Sequence, residues 1–261
     1  MHSANLKSLL ESLASCGRLL WEKGWVEGSG GNISLNVTEI AGREISTEKP
    51  SATLSLNTPY PGLAGQILLI TGTGKRLRDL AVRPEEVLSL LRIGDKGSHA
   101  HLFSLTGAEP ARPTSEIDAH LQVQHLFLEN DSGKKALLHT HPNALIALTH
   151  IPSFTKKELL NDLLQRMHPE VKIFIPEGAA LVPYLPPGSE SLARATREAL
   201  RQHRVVLWEK HGCLATGGDV QEAFDLIDIL DKAARIYFHC RSAGSKPQGL
   251  SDKQLEELPV L

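Results

Sequence analysis

Two histidines, His139 and His141, flank Thr140 at the end of the apolar run ALLHTH. On a strand, side chains at i and i+2 share a face, so two imidazole nitrogens there can meet one cation. Core histidines use the same spacing, and the chain carries 12 His with a second such pair, His99 and His101, as an internal control. His211 follows the apolar run VVLW and precedes Gly212, which sets a third imidazole where a strand ends in a sharp turn. Three imidazoles on one zinc leave a position open for substrate or water, whereas a closed four-ligand site is structural. A turn histidine bonded to backbone is the plain alternative for His211. Two glycine-rich turns, GSGGN at 28–32 and TGTGK at 71–75, flank apolar runs, and successive free N–H groups there can form an anion-binding nest. Neither is a nucleotide fingerprint, because GTGK lacks the GxxxxGK[ST] spacing and GSGGN has no preceding strand. Asn32, Thr73, Thr114 and Ser115 add side-chain donors, the last two at a helix start where phosphate and plain N-capping are both expected. Glu116, next in the first helical turn, compensates the dipole and, beside a divalent cation, can move protons at a substrate carbon.

The elements that must position these groups follow from periodicity. Leu6, Leu9, Leu10, Leu13, Leu20 and Trp21 recur at helical spacing, so the chain opens with an amphipathic helix rather than a targeting peptide. Ile33–Val37 alternates as a half-buried strand. Residues 38–65, with Pro50, Pro59 and Pro61 and many Ser and Thr, have no clean period and read as an irregular insertion. QILLIT reads as a buried strand, RLRDL as a helical turn, RPEEVLSLLRI as containing a strand or short helix, and HLFSL as a strand. A helix runs from near Ser115 to Glu129, ALLHTH is a strand, and Asn143–Thr149 and 155–167 are helical. VKIFI reads as a strand, SESLARATREALRQH as a long amphipathic helix, and VVLWEKHG as a strand ending in a turn. DVQEAFDLIDILDKAARIYFHCRSAG is the strongest helix in the chain. There is no internal repeat and no low-complexity linker, so one mixed α/β domain over residues 1–261 is expected.

Composition bounds the function. The 261 residues are 41% hydrophobic and 22% charged, enough for a sizeable core. Lys plus Arg, at 28, nearly cancels Asp plus Glu, at 30, so the basic excess of a nucleic-acid or anionic-membrane binder is absent. No apolar run approaches the roughly 18 residues of a membrane span. Cys16, Cys213 and Cys240 are odd in number and widely spaced, which fits a reducing, cytoplasmic compartment better than a disulfide framework. Metal-hydrolase signatures such as HExxH and HxHxDH are missing. A Schiff-base mechanism would need a desolvated lysine, for which Lys172 in VKIFI is the candidate.

In order, GGNIS, ITGTGK, PTSE, HTHPNALIALTH, FIPEG with the later PPGS, and LWEKHG resemble segments of the class II aldolase/adducin family over nearly the whole chain. The resemblance implies an α/β (mixed α+β) fold with a central, mostly antiparallel sheet flanked by helices. It also implies one zinc ion per subunit on His139, His141 and His211, and a homotetramer with sites near subunit boundaries. Carried over, Glu116 matches the acid/base glutamate, and Ser29, Asn32, Thr73, Gly74, Thr114 and Ser115 match the phosphate-binding positions. Ser29 stands where an asparagine is expected. Glu170 lines up with a second carboxylate offered by a neighbouring subunit. The implied activity is reversible cleavage of L-rhamnulose 1-phosphate between C3 and C4, giving dihydroxyacetone phosphate and L-lactaldehyde. Cleavage of L-fuculose 1-phosphate, a sugar-phosphate 4-epimerase and an adducin-like scaffold are the alternatives. A scaffold is expected to lose its metal ligands, yet all three histidines and Glu116 are present here.

Overall fold

In the computed structural model, residues 4–45 and 48–260 are described, and nine strands form one sheet. In chain order the elements are α1 (Ala4–Glu22), β1 (Asn32–Asn36), α2 (Thr38–Ile45), β2 (Ala52–Ser55), β3 (Ile67–Thr71), α3 (Pro84–Val87), β4 (Leu88–Ile93) and β5 (His99–Phe103). Then come α4 (Ile117–Glu129), β6 (Ala136–Thr140), α5 (Asn143–Thr149), α6 (Lys157–Met167), α7 (Pro169–Phe174), β7 (Ala180–Val182), α8 (Glu190–Ala199), β8 (Val205–Trp208), β9 (Gly212–Gly217), α9 (Val220–Ser242) and α10 (Asp252–Glu256). The strand order is β2-β5-β4-β3-β1-β6-β9-β8-β7, antiparallel throughout except for the β7–β8 pair. The expected mixed fold with a mostly antiparallel sheet is therefore borne out.

Strand alternation divides the core between the two faces. Ile33 and Leu35 of β1, Ala136 and Leu138 of β6 and Cys213 and Ala215 of β9 share one apolar cluster with residues of α1, α5 and α9. Leu137 and Leu214, on the opposite face, pack with Val123, Leu126 and Phe127 of α4 and Leu192 of α8. His139 has the parity of Leu137, so it points to the α4 side. β1 is not half-exposed, as its alternation suggests: Asn32 and Ser34 are 6% and 0% exposed, because α4 covers the strand's polar face and supplies partners for it.

Other expectations need correction. The segment 38–65 is not irregular throughout, since it contributes α2 and the edge strand β2; its residues 46 and 47 lie outside the described residues. The first four residues of VKIFI are helical, as the end of α7, and Ile175 is its C-cap. Pro169 at the first helical position presets φ, and Val171 and Ile175, four apart, are the two side chains the core takes up. Lys172 thus lies in the last turn of a short helix and not in an apolar strand. The long helix from Ser189 stops at Ala199. The short parallel strand β7 and the strand β9, GCLATG, carry too few bulky side chains to stand out in sequence, although β9 is buried along its whole length. Trp21, expected on the apolar stripe of α1, is 48% exposed and lies under the Arg78 guanidinium. All three cysteines are free, and no helix among the described residues is long and apolar enough to cross a membrane.

Candidate metal and sugar-phosphate site

β6 lies between β1 and β9, and the three strands bring distant parts of the chain together. Asn32 pairs with His139, and His139 with Leu214, so the glycine turn before β1 and the turn before β9 both open onto the end of β6. His139 is the penultimate residue of β6, His141 lies one residue past its end, and His211 closes the β8–β9 turn. Lys210, the residue before it, adopts φ 60, a left-handed conformation costly for a non-glycine side chain. Its N–H is anchored on Thr149 Oγ1 at 2.8 Å, so the end of α5 holds the turn in this shape.

The rings converge. One ligand nitrogen from each of His139, His141 and His211 lies within 4.8 Å of the others, and Nε2 of His139 and His141 are 3.1 Å apart. Each Nδ1 of that pair faces an acceptor: the Cys213 carbonyl oxygen at 3.0 Å for His139, and Glu27 Oε1 at 2.6 Å for His141. In the neutral form of each ring Nδ1 is then the protonated nitrogen, and two Nε2 lone pairs face each other. A shared cation removes that repulsion, and two nitrogens on one tetrahedral zinc stand roughly 3.3 Å apart. His211 Nδ1 is buried without a hydrogen-bond partner among the described residues. The packing leaves no slack: a Cβ on Gly30 would meet the His141 ring at 2.8 Å, and one on Gly212 would meet His139 Cε1 at 2.8 Å. Trp208 stacks on His211 with ring centroids 5.0 Å apart and backs His139 at 4.5 Å. These residues fit a divalent ion.

Burial sets the protonation states. It holds His139 well below the usual histidine range, helped by the charges of His141 and His211, and lowers His211 to about 4, with His141 adding to the effect and Glu27 opposing it. Neutral rings are the form that binds metal. Burial raises Glu116, against the Asn32 hydrogen bond and the charge of His141. Glu116 is at the N-cap position of α4, not inside its first turn, and its side chain makes no cap bond. It turns into the cleft instead, with Oε2 3.7 Å from His139 Nε2 and Oε1 3.8 Å from His211 Nε2.

The same cleft, of about 190 Å³, is lined by Ser29, Asn32, Thr73, Gly74, Thr114, Ser115, Glu116 and the three histidines. The structure thus brings together every candidate residue except Glu170, which sits in the first turn of α7 and does not line it. Within the lining, roles separate by exposure. Ser29, Thr73, Gly74 and Ser115 are exposed at the mouth, while Asn32, Thr114, Glu116 and His139 are buried at the floor. The Thr73 N–H is taken by the Arg112 carbonyl at 2.7 Å, so this turn offers an anion the Thr73 hydroxyl and the N–H of Gly74, which has φ 69. The Asn32 amide is committed to Glu116 and Thr114, at 2.9 and 3.3 Å. Two contributors escaped the sequence reading. Glu27 carries no motif signal beyond standing two residues ahead of Ser29, and Trp208 reads only as one more apolar strand residue.

Comparison with known proteins agrees with this geometry. Residues 11–238 match the family model described as the class II aldolase and adducin N-terminal domain. The chain is 40% identical to a rhamnulose-1-phosphate aldolase of Bacteroides thetaiotaomicron, covering 98% of each protein. It is 33% identical to one of Yersinia pestis, over 90% of this chain and 86% of that one. A solved sugar-phosphate aldolase from Thermotoga maritima superposes with a TM-score of 0.81 at 32% identity, over 94% of this chain and 99% of the other. The shared segments, the single sheet and the three-histidine cleft lead to one conclusion: the chain belongs to the class II aldolase and adducin family.

Proposed function

We propose that the protein is a zinc-dependent aldehyde-lyase that reversibly cleaves L-rhamnulose 1-phosphate to dihydroxyacetone phosphate and L-lactaldehyde. The observation that carries this reading is the convergence of His139, His141 and His211 beside the buried Glu116 carboxylate, in a cleft whose mouth is lined by hydroxyl and N–H donors. Support for the sugar comes from the curated relatives named above, at 33% and 40% identity over most of the chain.

His139, His141 and His211 would hold one ion per subunit, and a divalent cation there supplies Lewis acidity toward the negative charge left when the C3–C4 bond breaks. The chain's own groups do the rest. Ser29, Thr73, Gly74 and Ser115 at the mouth, with Thr114 on the floor beneath them, grip the phosphate, and this remote binding positions the reacting carbons. Glu116, hydrogen-bonded at one oxygen by Asn32, gives a proton to C3 of the three-carbon fragment after cleavage and removes it in the synthetic direction. The raised pKa of Glu116 brings it nearer the working pH, where a carboxyl both gives and takes protons. The same proposal covers a single domain over residues 1–261, a cytoplasmic role in rhamnose breakdown, and a homotetramer in which Glu170 of one subunit serves the cleft of another. The three free cysteines support a reducing compartment.

The test is an aldol-cleavage assay of the zinc-loaded protein on L-rhamnulose 1-phosphate and L-fuculose 1-phosphate. Faster turnover of the rhamnulose sugar is the expected result. Preference for the fuculose sugar would overturn the choice of substrate, and no cleavage of either would overturn the activity.

A further inference from the structure

Behind Glu116 lies a run of buried side chains that the reaction does not touch. Asn32 Nδ2 donates to Glu116 Oε2 at 2.9 Å, and Asn32 Oδ1 lies 2.5 Å from His120 Nε2. His120 Nδ1 lies 2.7 Å from Ser34 Oγ, which accepts from Gln124 Nε2 at 3.2 Å, and the same Gln124 amide donates to the Lys135 carbonyl oxygen at 3.0 Å. Asn32 is 6% exposed, Ser34 is 0%, and His120 and Gln124 are 1% each. β1 supplies Asn32 and Ser34 on one face, and α4 supplies His120 and Gln124 one turn apart, so the run spans the layer between sheet and helix.

Its direction follows from the donor inventory. A carbonyl only accepts, so Gln124 turns its amino group toward Lys135 and Ser34. A carboxylate only accepts, so Asn32 turns its amino group toward Glu116 and its oxygen toward His120. That oxygen needs an N–H, which places the His120 proton on Nε2 and leaves Nδ1 bare to accept from the Ser34 hydroxyl. Reversing the Asn32 amide would set its oxygen against the Glu116 carboxylate and its amino group against an N–H. Burial keeps the ring neutral, lowering its pKa to about 3, so the ring carries a single N–H.

We infer that His120 is a positioning residue: through Nε2–H it locks the Asn32 amide, which in turn holds the Glu116 carboxylate in its reactive orientation. This rests on Glu116 being the acid/base group. Without the lock, the carboxylate is free to swing toward the His139 and His211 rings, 3.7 and 3.8 Å away, and out of line with the substrate carbon. Asn32, whose amide is committed to Glu116 and Thr114, accordingly serves the proton-transfer group.

The test compares His120→Phe, which keeps a ring but no nitrogen, with His120→Gln, which keeps a donor for Asn32, using zinc-loaded protein and L-rhamnulose 1-phosphate. His120→Phe is expected to lower kcat by about 30- to 100-fold, a fraction of a full general acid–base contribution, with KM within about threefold and zinc retained. His120→Gln is expected to recover kcat to within about fivefold of wild type. A rise in KM at unchanged kcat, or equal impairment of the two variants, overturns the inference. Should neither variant fold, Ser34→Ala removes the hydroxyl that fixes the His120 tautomer. A kcat lowered by about three- to tenfold at constant KM then supports the lock, and an unchanged kcat overturns it. Glu116→Gln in the same series separates the two levels. If it turns over like wild type, the acid/base reading falls and the inference with it; if it is slow while His120→Phe is not, only the inference falls.

Discussion

The molecule contains two His-x-His pairs whose internal geometry is nearly the same. Nε2 atoms are 3.1 Å apart in His139/His141 and 3.2 Å apart in His99/His101, and both pairs of rings meet edge to face, with centroids 4.9 and 4.7 Å apart. Their surroundings differ. In the first pair a carbonyl and a carboxylate accept from the two Nδ1 atoms, which leaves both Nε2 atoms as lone pairs. In the second, Nδ1 of His99 and His101 lie 3.4 and 3.3 Å from the hydroxyls of Ser98 and Thr53, groups that donate or accept and fix no tautomer. One ring can then donate to the other, and the close approach needs no ion. The first pair also has His211 as a third donor, while among the described residues no third ligand joins the second, which has the cationic Arg92 beside it. Cavity size does not separate them: the space beside His99 and His101 is about 760 Å³, against about 190 Å³ at the cleft. Spacing puts two imidazoles on one face; a third ligand and fixed tautomers make them able to hold a metal.

The widest separation between the pairs comes from truncating each. His141→Ala should abolish both zinc retention and cleavage, whereas His99→Ala should leave zinc content and turnover within about twofold of wild type, as expected away from the site. Metal analysis after gel filtration, with a cleavage assay on the same samples, checks both. Glu116→Gln should keep its zinc and lower kcat by about 100- to 1,000-fold, the range of a general acid–base group, which shows that a filled site alone is not enough.

The outer contacts give a finer contrast. Glu27→Ala frees His141 Nδ1 and should weaken zinc affinity by about 10- to 100-fold in a competitive chelator titration, while Thr53→Ala, the matching change beside His101, should leave it unchanged. The smallest effect is on acid stability. His120, lowered to about 3 in the fold, binds its proton in the unfolded chain near pH 6.5. Between those values the unfolded state holds more protons, so its contribution to stability is lost as pH falls from about 6.5 to 3. Urea titrations of metal-free protein across that window should show a shallower decline for His120→Phe than for wild type.

How much of this was legible in sequence depended on whether the signal was local. The 139/141 spacing, the 143–149 helix, the glycine turns and the long helix α9 are each set by residues within one or two turns of chain, and the structure contains them. β9 was missed because Gly212, Cys213 and Ala215 owe their burial to neighbouring strands and α9, not to bulk of their own. VKIFI misread as a strand because its β-branched residues outweighed Pro169 in a propensity reading. Glu27 and the Asn32–His120 contact depend on partners 114 and 88 residues away, which no local pattern encodes. The polar side of β1 passed for a solvent face for the same reason: only the docked α4 shows that Asn32 and Ser34 are buried.

The claim that one ion on three histidines drives aldol cleavage is tested most directly by adding zinc stepwise to fully chelated protein while following L-lactaldehyde release from L-rhamnulose 1-phosphate. Activity should start from zero, rise linearly and stop rising at one zinc per chain. Turnover in the metal-free protein, or a rise that continues to two zinc ions per chain, would contradict the account.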